Sequence, residues 1–267
     1  MNLNKYLSDP AELPLERIVD DGGFTSIFRT IGCIGDSLSS GEFQSTDEEG
    51  VKQGYHDYYE YSWGQYIARA AGCTVYNFSR GGMTAQWYWD TFADERDLWN
   101  PDKLCQCYII ALGVNDLMGK NQELGTIEDI DLADWNNNKA TFTGYYARII
   151  QRYKSMQPHA KFFLVTMPHG GGAPEREAKI DAHAALLHQL AEMFDYTYVI
   201  DLAKYGPVYD GAFRKNFYLG GHMNPQGYIL TAKMVMSYID YIIRHNMEDF
   251  AQVPFIGKGV HNYTAKW

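Results

Sequence analysis

The chain has 267 residues, of which 46% are hydrophobic, 21% are charged and 15% are aromatic, and this apolar share is typical of a globular protein rather than a disordered one. Its 33 acidic and 23 basic side chains give a formal net charge of −10. This acidic balance argues against nucleic acid, whose binding depends on lysine and arginine, and disfavours an anionic membrane surface as a partner.

Short apolar runs and segments of helical periodicity alternate along the chain. In chain order, we predict strands at residues 30–34, 74–78, 107–112, 161–166 and 197–202, and helices at about 61–71, 141–156, 175–194 and 225–245. Most of the runs are continuously apolar, as expected of parallel strands that helices cover on both faces. The pattern therefore predicts an α/β fold with an open parallel sheet.

The chain is predicted to form one cytoplasmic domain. No repeat or linker divides residues 1–267, so we expect a core at about 28–246 with an N-terminal and a C-terminal extension. The sequence shows no apolar run typical of a signal peptide or a membrane-spanning helix. The four cysteines are expected to be reduced core thiols, because each lies in or beside an apolar run. The spacing of Cys105 and Cys107 is not typical of a metal site.

Polar residues and glycines follow several of the predicted strands, at the sheet edge where ligands bind in open α/β sheets. Ser37 follows the first strand, Gly82 the second and Asn115 the third, and His222 lies in the loop before the last helix. A serine hydroxyl needs a base to become a good nucleophile, and the oxyanion that forms needs fixed hydrogen-bond donors. These residues together predict acyl transfer.

The order of these blocks resembles the GDSL or SGNH hydrolases, over nearly the whole chain from Gly35 to Gly227. The blocks are Gly35-Asp36-Ser37-Leu38, Asn77-x-Ser79-x-x-Gly82-x-Thr84, Gly113-x-Asn115-Asp116 and His222-x-Asn224-x-x-Gly227-Tyr228. The resemblance implies a flavodoxin-like, three-layer α/β/α sandwich with five parallel strands in the order 2-1-3-4-5. It also implies ester hydrolysis through an acyl-enzyme, with no metal and no organic cofactor. It makes Ser37 the nucleophile and His222 the base, and it assigns the oxyanion to the N–H groups of Ser37 and Gly82 and the side chain of Asn115.

One position departs from the family pattern. The family usually carries an aspartate three residues before the histidine, where it orients the imidazole, but this chain has Leu219 there. Three alternatives follow. The backbone carbonyl of Leu219 orients His222, or Asp201 or Asp210 reaches it from elsewhere in the segment after the fifth strand, or catalysis is impaired and the protein only binds.

Aromatic side chains cluster just after the presumed nucleophile and just after the oxyanion glycines. Tyr55, Tyr58, Trp63 and Trp87 are interleaved or flanked with carboxylates and amides, an arrangement that suits a sugar. The equally weighted alternative is that these rings pack under a long loop.

The leading hypothesis is removal of acetyl groups from a small-molecule or oligosaccharide ester. The alternatives are a short-chain lipase, lysophospholipase or thioesterase, and a carbohydrate-binding pseudo-hydrolase that lacks a catalytic acid.

The C-terminal segment, residues 246–267, is also rich in aromatic side chains. It contains Phe250, Phe255, Tyr263 and Trp267. These rings can pack on their own domain or on a partner, and the sequence favours neither, so it leaves the oligomeric state open.

Overall fold

A parallel sheet lies at the centre of the computed structural model, which describes Leu3 and residues 6–258. The strands of the described residues are β1 Thr30–Gly35, β2 Glu42–Thr46, β3 Lys52–Asp57, β4 Thr74–Ser79, β5 Cys107–Ala111, β6 Lys161–Val165, β7 Thr197–Ile200, β8 Tyr218–Leu219 and β9 His222–Met223. Five of them form the parallel sheet in the order β4-β1-β5-β6-β7. Counted along the chain, these five have the order 2-1-3-4-5, so the predicted fold class and strand order are confirmed.

Helices cover both faces of this sheet. They are α1 Ser37–Ser40, α2 Trp63–Ala71, α3 Ala85–Trp87, α4 Ala93–Glu95, α5 Phe142–Met156, α6 Pro174–Met193, α7 Leu202–Tyr205, α8 Gly211–Phe217, α9 Pro225–His245 and α10 Met247–Phe250. Alternate residues of β5 face opposite layers, because side chains of a strand alternate between its two faces. Tyr108 and Ile110 join a core with α5 and α6, whereas Cys107 and Ile109 join a core with α2 and α9.

The ends of the elements follow from local hydrogen bonds. Helix α9 begins at Pro225, behind the N-cap Asn224, whose side chain accepts a hydrogen bond from the Gly227 N–H. Strand β7 ends two residues earlier than predicted, because Asp201 leaves the sheet and caps α7 with its side chain. Strand β6 ends one residue earlier than predicted, and the Thr166 hydroxyl beyond it bonds Asp201.

Two small antiparallel sheets lie outside the central one. Strands β2 and β3 form a hairpin in which Glu42 pairs with Asp57 and Gln44 with Tyr55. Strands β8 and β9 pair Leu219 with His222. Residues 42–46 and 52–57, which follow Ser37 in the sequence, therefore form strands and not a long loop.

The described part of the C-terminal segment packs on the chain's own core. Phe250 is buried, and its ring lies 6.3 Å from those of Phe28 and Phe163 and 5.3 Å from that of Tyr198. Tyr263 and Trp267 lie outside the described residues. The four cysteines are free thiols, three of them buried. Within the part of the chain that the structure describes, none of the helices is long and apolar enough to cross a membrane.

Candidate active site

A cavity of about 360 Å³ lies where several strands of the central sheet end. Its wall includes Ser37, which follows β1, Asn115, which follows β5, and His222, which begins β9. The volume is in the range of small-molecule sites. The structure thus brings the predicted nucleophile, the predicted base and one predicted oxyanion donor to one cavity.

Ser37 is placed by a tight turn between β1 and α1. The Asp36 carboxylate accepts a hydrogen bond from the Leu38 N–H at 3.0 Å and so caps the one-turn helix that Ser37 begins. Gly35 allows the close packing of this turn, because a Cβ there would lie 2.1 Å from Ser39 Oγ. The turn leaves Ser37 half-buried in the cavity wall.

The two other predicted oxyanion donors lie beside each other but differ in exposure. Asn115 Nδ2 donates to the Met83 carbonyl at 3.1 Å and lies 3.4 Å from Asp36 Oδ2. This bond ties Asn115 to the turn that contains Gly82. Gly82 itself is exposed and lies just outside the residues that line the cavity.

Two buried carboxyl groups lie beside this turn. Burial raises the pKa of Asp36 to about 6 and that of Asp116 to about 7. Asp116 Oδ1 accepts a hydrogen bond from the Ala85 N–H at 2.8 Å, while its Oδ2 is buried without a partner among the described residues. Burial therefore favours the protonated form of both carboxyl groups more than it is favoured in an exposed aspartate.

His222 contacts a carboxylate that the sequence analysis did not identify. Its Nε2 lies 3.2 Å from Glu42 Oε1, and both side chains are 15% exposed. Its Nδ1 is buried and has no hydrogen-bond partner in residues 6–258. Burial lowers the pKa of His222, and the nearby Asp57 carboxylate opposes this effect. The imidazole is thus favoured in its neutral form, which a general base requires.

None of the three groups considered as orienting partners bonds His222 in this structure. The Leu219 carbonyl does not accept from Nδ1, since that nitrogen has no partner. Asp201 accepts from Thr166 and lies 2.9 Å from Nε2 of His188. Asp210 caps α8, where it accepts from a backbone N–H. The structure therefore assigns both aspartates to other local contacts.

The four predicted substrate-binding rings lie in different environments. Tyr55 is 57% exposed, and its ring centroid lies 5.1 Å from that of His222. Tyr58 is also exposed, on the same hairpin end. Trp63 lines the cavity but is buried in the core, and Trp87 lies outside the cavity wall, with the Arg80 guanidinium 5.4 Å from its ring. Only Tyr55 is both exposed and next to the predicted base.

Sequence reasoning missed several residues of the site. Glu42 and Gln44 come from the β2 strand, and Arg176 and Arg214 bring positive charge to the cavity wall. The dense run of acidic and aromatic residues after Ser37 was the available signal for the first two. That run was interpreted as a substrate-binding segment rather than as support for His222.

No group of three or more histidine, cysteine or acidic side chains in the described ranges is arranged to hold a metal ion. The cavity wall offers hydroxyl, imidazole, amide and backbone groups. These are the group types that acyl transfer uses.

Residues 33–230 match the sequence model of the GDSL-like lipase/acylhydrolase family. No curated protein matches the sequence.

Several solved structures are similar in fold. A family two carbohydrate esterase from Clostridium thermocellum, solved with cellohexaose, is 16% identical, with a TM-score of 0.56, 90% of this chain covered and 67% of that one. A family 3 carbohydrate esterase from the same organism is 18% identical, with a TM-score of 0.51 and coverages of 81% and 98%. A structure from Desulfitobacterium hafniense, described as a lipolytic protein of the G-D-S-L family, is 18% identical, with a TM-score of 0.50 and coverages of 79% and 99%.

Proposed function

Because the chain belongs to the GDSL-like lipase/acylhydrolase family, we propose that it is a serine ester hydrolase that removes acetyl groups from a carbohydrate through an acyl-enzyme. The observation that carries the proposal is the convergence of Ser37, Asn115 and His222 on one cavity. These residues come from elements far apart in the sequence, yet they supply a nucleophile, an oxyanion donor and a base at one place.

The first half of the proposed reaction acylates Ser37. Ser37 Oγ attacks the ester carbonyl while His222 accepts the hydroxyl proton. The N–H groups of Ser37 and Gly82 and the amide of Asn115 donate to the oxyanion of the tetrahedral intermediate. His222 then donates its proton to the leaving sugar alcohol as the carbon–oxygen bond breaks, which leaves the acyl group on Ser37.

The second half returns the enzyme to its starting state. Water attacks the acyl carbonyl and gives a proton to His222, and the same donors hold the new oxyanion. Collapse of this intermediate releases the carboxylic acid and returns the proton to Ser37 Oγ. The mechanism requires a hydrogen bond between Ser37 and His222 in the substrate complex, and such contacts are often long or misaligned in an empty site.

Carbohydrate is supported by the rings at the mouth of the site. Tyr55 and Tyr58 are both more than half exposed, and Tyr55 lies against the imidazole of His222. Exposed aromatic faces beside polar groups suit the C–H faces and hydroxyls of a sugar. Two of the similar folds are carbohydrate esterases, one of them solved with a cello-oligosaccharide.

A short-chain acyl ester is the second candidate, because much of the cavity wall is aliphatic. The apolar residues that line it include Leu112, Val114, Met118, Val165, Met167, Ile180 and Val235. An acyl chain longer than acetyl can be buried against these side chains, each methylene contributing about 0.8 kcal/mol to binding. The wall therefore leaves a short-chain lipase or thioesterase as the alternative to an acetylesterase.

Two measurements distinguish these functions. We expect kcat/KM to be highest for the acetyl member of a p-nitrophenyl ester series from two to eight carbons, and we expect acetate release from acetylated oligosaccharides. A maximum at six or eight carbons supports the second candidate instead. Ser37→Ala is the control, and it is expected to abolish both activities.

Oligosaccharide binding without acetate release and without ester hydrolysis supports the pseudo-hydrolase. Activity that survives in Ser37→Ala contradicts the hydrolase proposal itself. Calorimetric titration of wild type and Ser37→Ala with the same oligosaccharide measures binding independently of turnover.

A further inference from the structure

We propose that Glu42 is the positioning residue of His222 and takes the place of the aspartate that Leu219 replaces. The proposal rests on the proposed function, since it concerns the base of that reaction. It places the orienting carboxylate on the β2–β3 hairpin, five residues after the nucleophile, instead of three residues before the histidine.

The contact between the two side chains is close and shielded. Glu42 Oε1 lies 3.2 Å from His222 Nε2, and each side chain is 15% exposed. Among residues 6–258, Glu42 is the one carboxylate within 4.0 Å of a His222 ring nitrogen. A Cβ at Gly81 would lie 2.1 Å from Glu42 Oε2, so the absence of a side chain there makes room for the carboxylate.

The hairpin that carries Glu42 is fastened to the loop that carries His222. The buried Gln44 side chain accepts a hydrogen bond from the Gly221 N–H at 2.9 Å. The Tyr228 hydroxyl donates to the Glu42 carbonyl at 2.6 Å. The Tyr55 ring lies edge-on to the imidazole. These contacts fix the position of Glu42 relative to His222. An ion pair that forms by chance on the surface does not need such support.

This arrangement assigns a role to each imidazole nitrogen. Glu42 holds the proton on Nε2, which leaves the lone pair of Nδ1 to accept the proton of Ser37 Oγ. In this structure the buried Nδ1 has no hydrogen-bond partner among the described residues, Ser37 included, so it is the ring nitrogen left to accept that proton. The imidazolium that forms then keeps its Nε2–H on the Glu42 carboxylate, which stabilises the positive charge.

Several charged groups set the pH response of this pair. Asp57 lies across the hairpin from Glu42 and raises the pKa of His222, against the larger effect of burial. Burial, with Asp57, raises the pKa of Glu42. Asp36, Arg176 and Arg214 also line the cavity. An ionised Glu42 favours the imidazolium, so its removal lowers the pKa of His222 further.

The test compares the pH profiles of kcat/KM for p-nitrophenyl acetate in Glu42→Gln, Glu42→Asp and Glu48→Gln. We expect kcat/KM of Glu42→Gln to be at least about a hundredfold lower than that of wild type. We also expect the acidic limb of its pH profile to lie at lower pH. Glu42→Asp, which keeps the charge one methylene further away, is expected to recover part of the loss. Glu48→Gln removes the same charge from the exposed hairpin turn and is expected to match wild type.

A second measurement does not depend on turnover. In protein labelled with ¹⁵N-histidine, the His222 signal is expected to show the Nε2–H tautomer and to titrate at lower pH in Glu42→Gln than in wild type. Unchanged titration, or wild-type kcat/KM in Glu42→Gln, overturns the role of Glu42 even while Ser37→Ala is inactive. An active Ser37→Ala instead overturns the proposed function, and the titration still tests the contact. If Glu42→Gln does not fold, the tautomer in the wild-type protein still tests the proposal, because a His222 signal that shows the Nδ1–H tautomer counts against it.

Discussion

Replacement of Asp116 by asparagine tests the buried carboxyl group near the oxyanion donors. The side chain is fully buried, and its pKa is raised from 3.8 to about 7, chiefly by burial. Its Oδ1 accepts from the Ala85 N–H, a bond that an asparagine Oδ1 can also accept. Asp116→Asn therefore keeps the neutral form of the group and removes its ability to ionise.

The sign and size of the effect follow from proton linkage. The folded protein binds the proton of Asp116 more tightly than the unfolded chain, so its contribution to stability falls as pH rises from about 4 to about 7. The full difference between 3.8 and about 7 corresponds to about 4 kcal/mol, since each pH unit is worth about 1.4 kcal/mol. Roughly 2–3 kcal/mol of this is lost between pH 5 and pH 8.

Urea unfolding followed by circular dichroism at pH 5 and pH 8 measures this difference. We expect Asp116→Asn to gain roughly 2–3 kcal/mol in free energy of unfolding relative to wild type between the two pH values, whatever its stability at pH 5. Asp102→Asn, at an exposed position, controls for the loss of one formal charge. A change below about 0.5 kcal/mol between pH 5 and pH 8 refutes the reasoning, because it means that Asp116 ionises equally in both states.

Three further predictions concern activity. Asn115→Ala is expected to lower kcat for p-nitrophenyl acetate by about 10²–10³ with little change in KM, and an unchanged kcat removes it from the oxyanion site. Asp201→Asn and Asp210→Asn are expected to stay within about twofold of wild-type kcat/KM, because both carboxylates bond groups other than the base. A tenfold lower kcat/KM in either variant contradicts the assignment of that aspartate to contacts away from the base. Tyr58→Ala is expected to raise KM for an acetylated oligosaccharide about threefold or more but to leave p-nitrophenyl acetate kinetics unchanged. An equal loss of kcat/KM for the oligosaccharide and for p-nitrophenyl acetate shows that the Tyr58 ring supports the hairpin instead.

The central sheet could be predicted from sequence because its strands are buried on both faces. Cys107 and Ile109 face one core, Tyr108 and Ile110 the other, and the resulting apolar run is visible without any structure. The β2–β3 hairpin has no comparable apolar run in its sequence. Most of its residues are exposed or half-buried, and its strands lack a regular apolar alternation.

For the candidate site, too, the residues next to buried strands could be predicted, and those on the surface hairpin could not. Ser37 and Asn115 could be predicted because each follows a recognisable strand at the ligand-binding edge of the sheet. The contact of Glu42 with His222 could not, because it joins residues 180 positions apart and depends on how a surface hairpin docks. The substrate-binding role of Trp87 stays a prediction, since its ring follows the glycine turn in sequence and lies beside Arg80 in the structure.

The wide separation of Glu42 and His222 along the chain also has a consequence in time. At about 5–20 residues per second, a ribosome needs about 10–40 s to extend the chain from the hairpin to the histidine loop. During that interval the segment that carries Ser37 has been made, but the base and the helix behind it have not. Any nascent or truncated chain that stops short of residue 222 therefore has the serine without its histidine, and it also lacks the cavity-lining residues of β9 and α9.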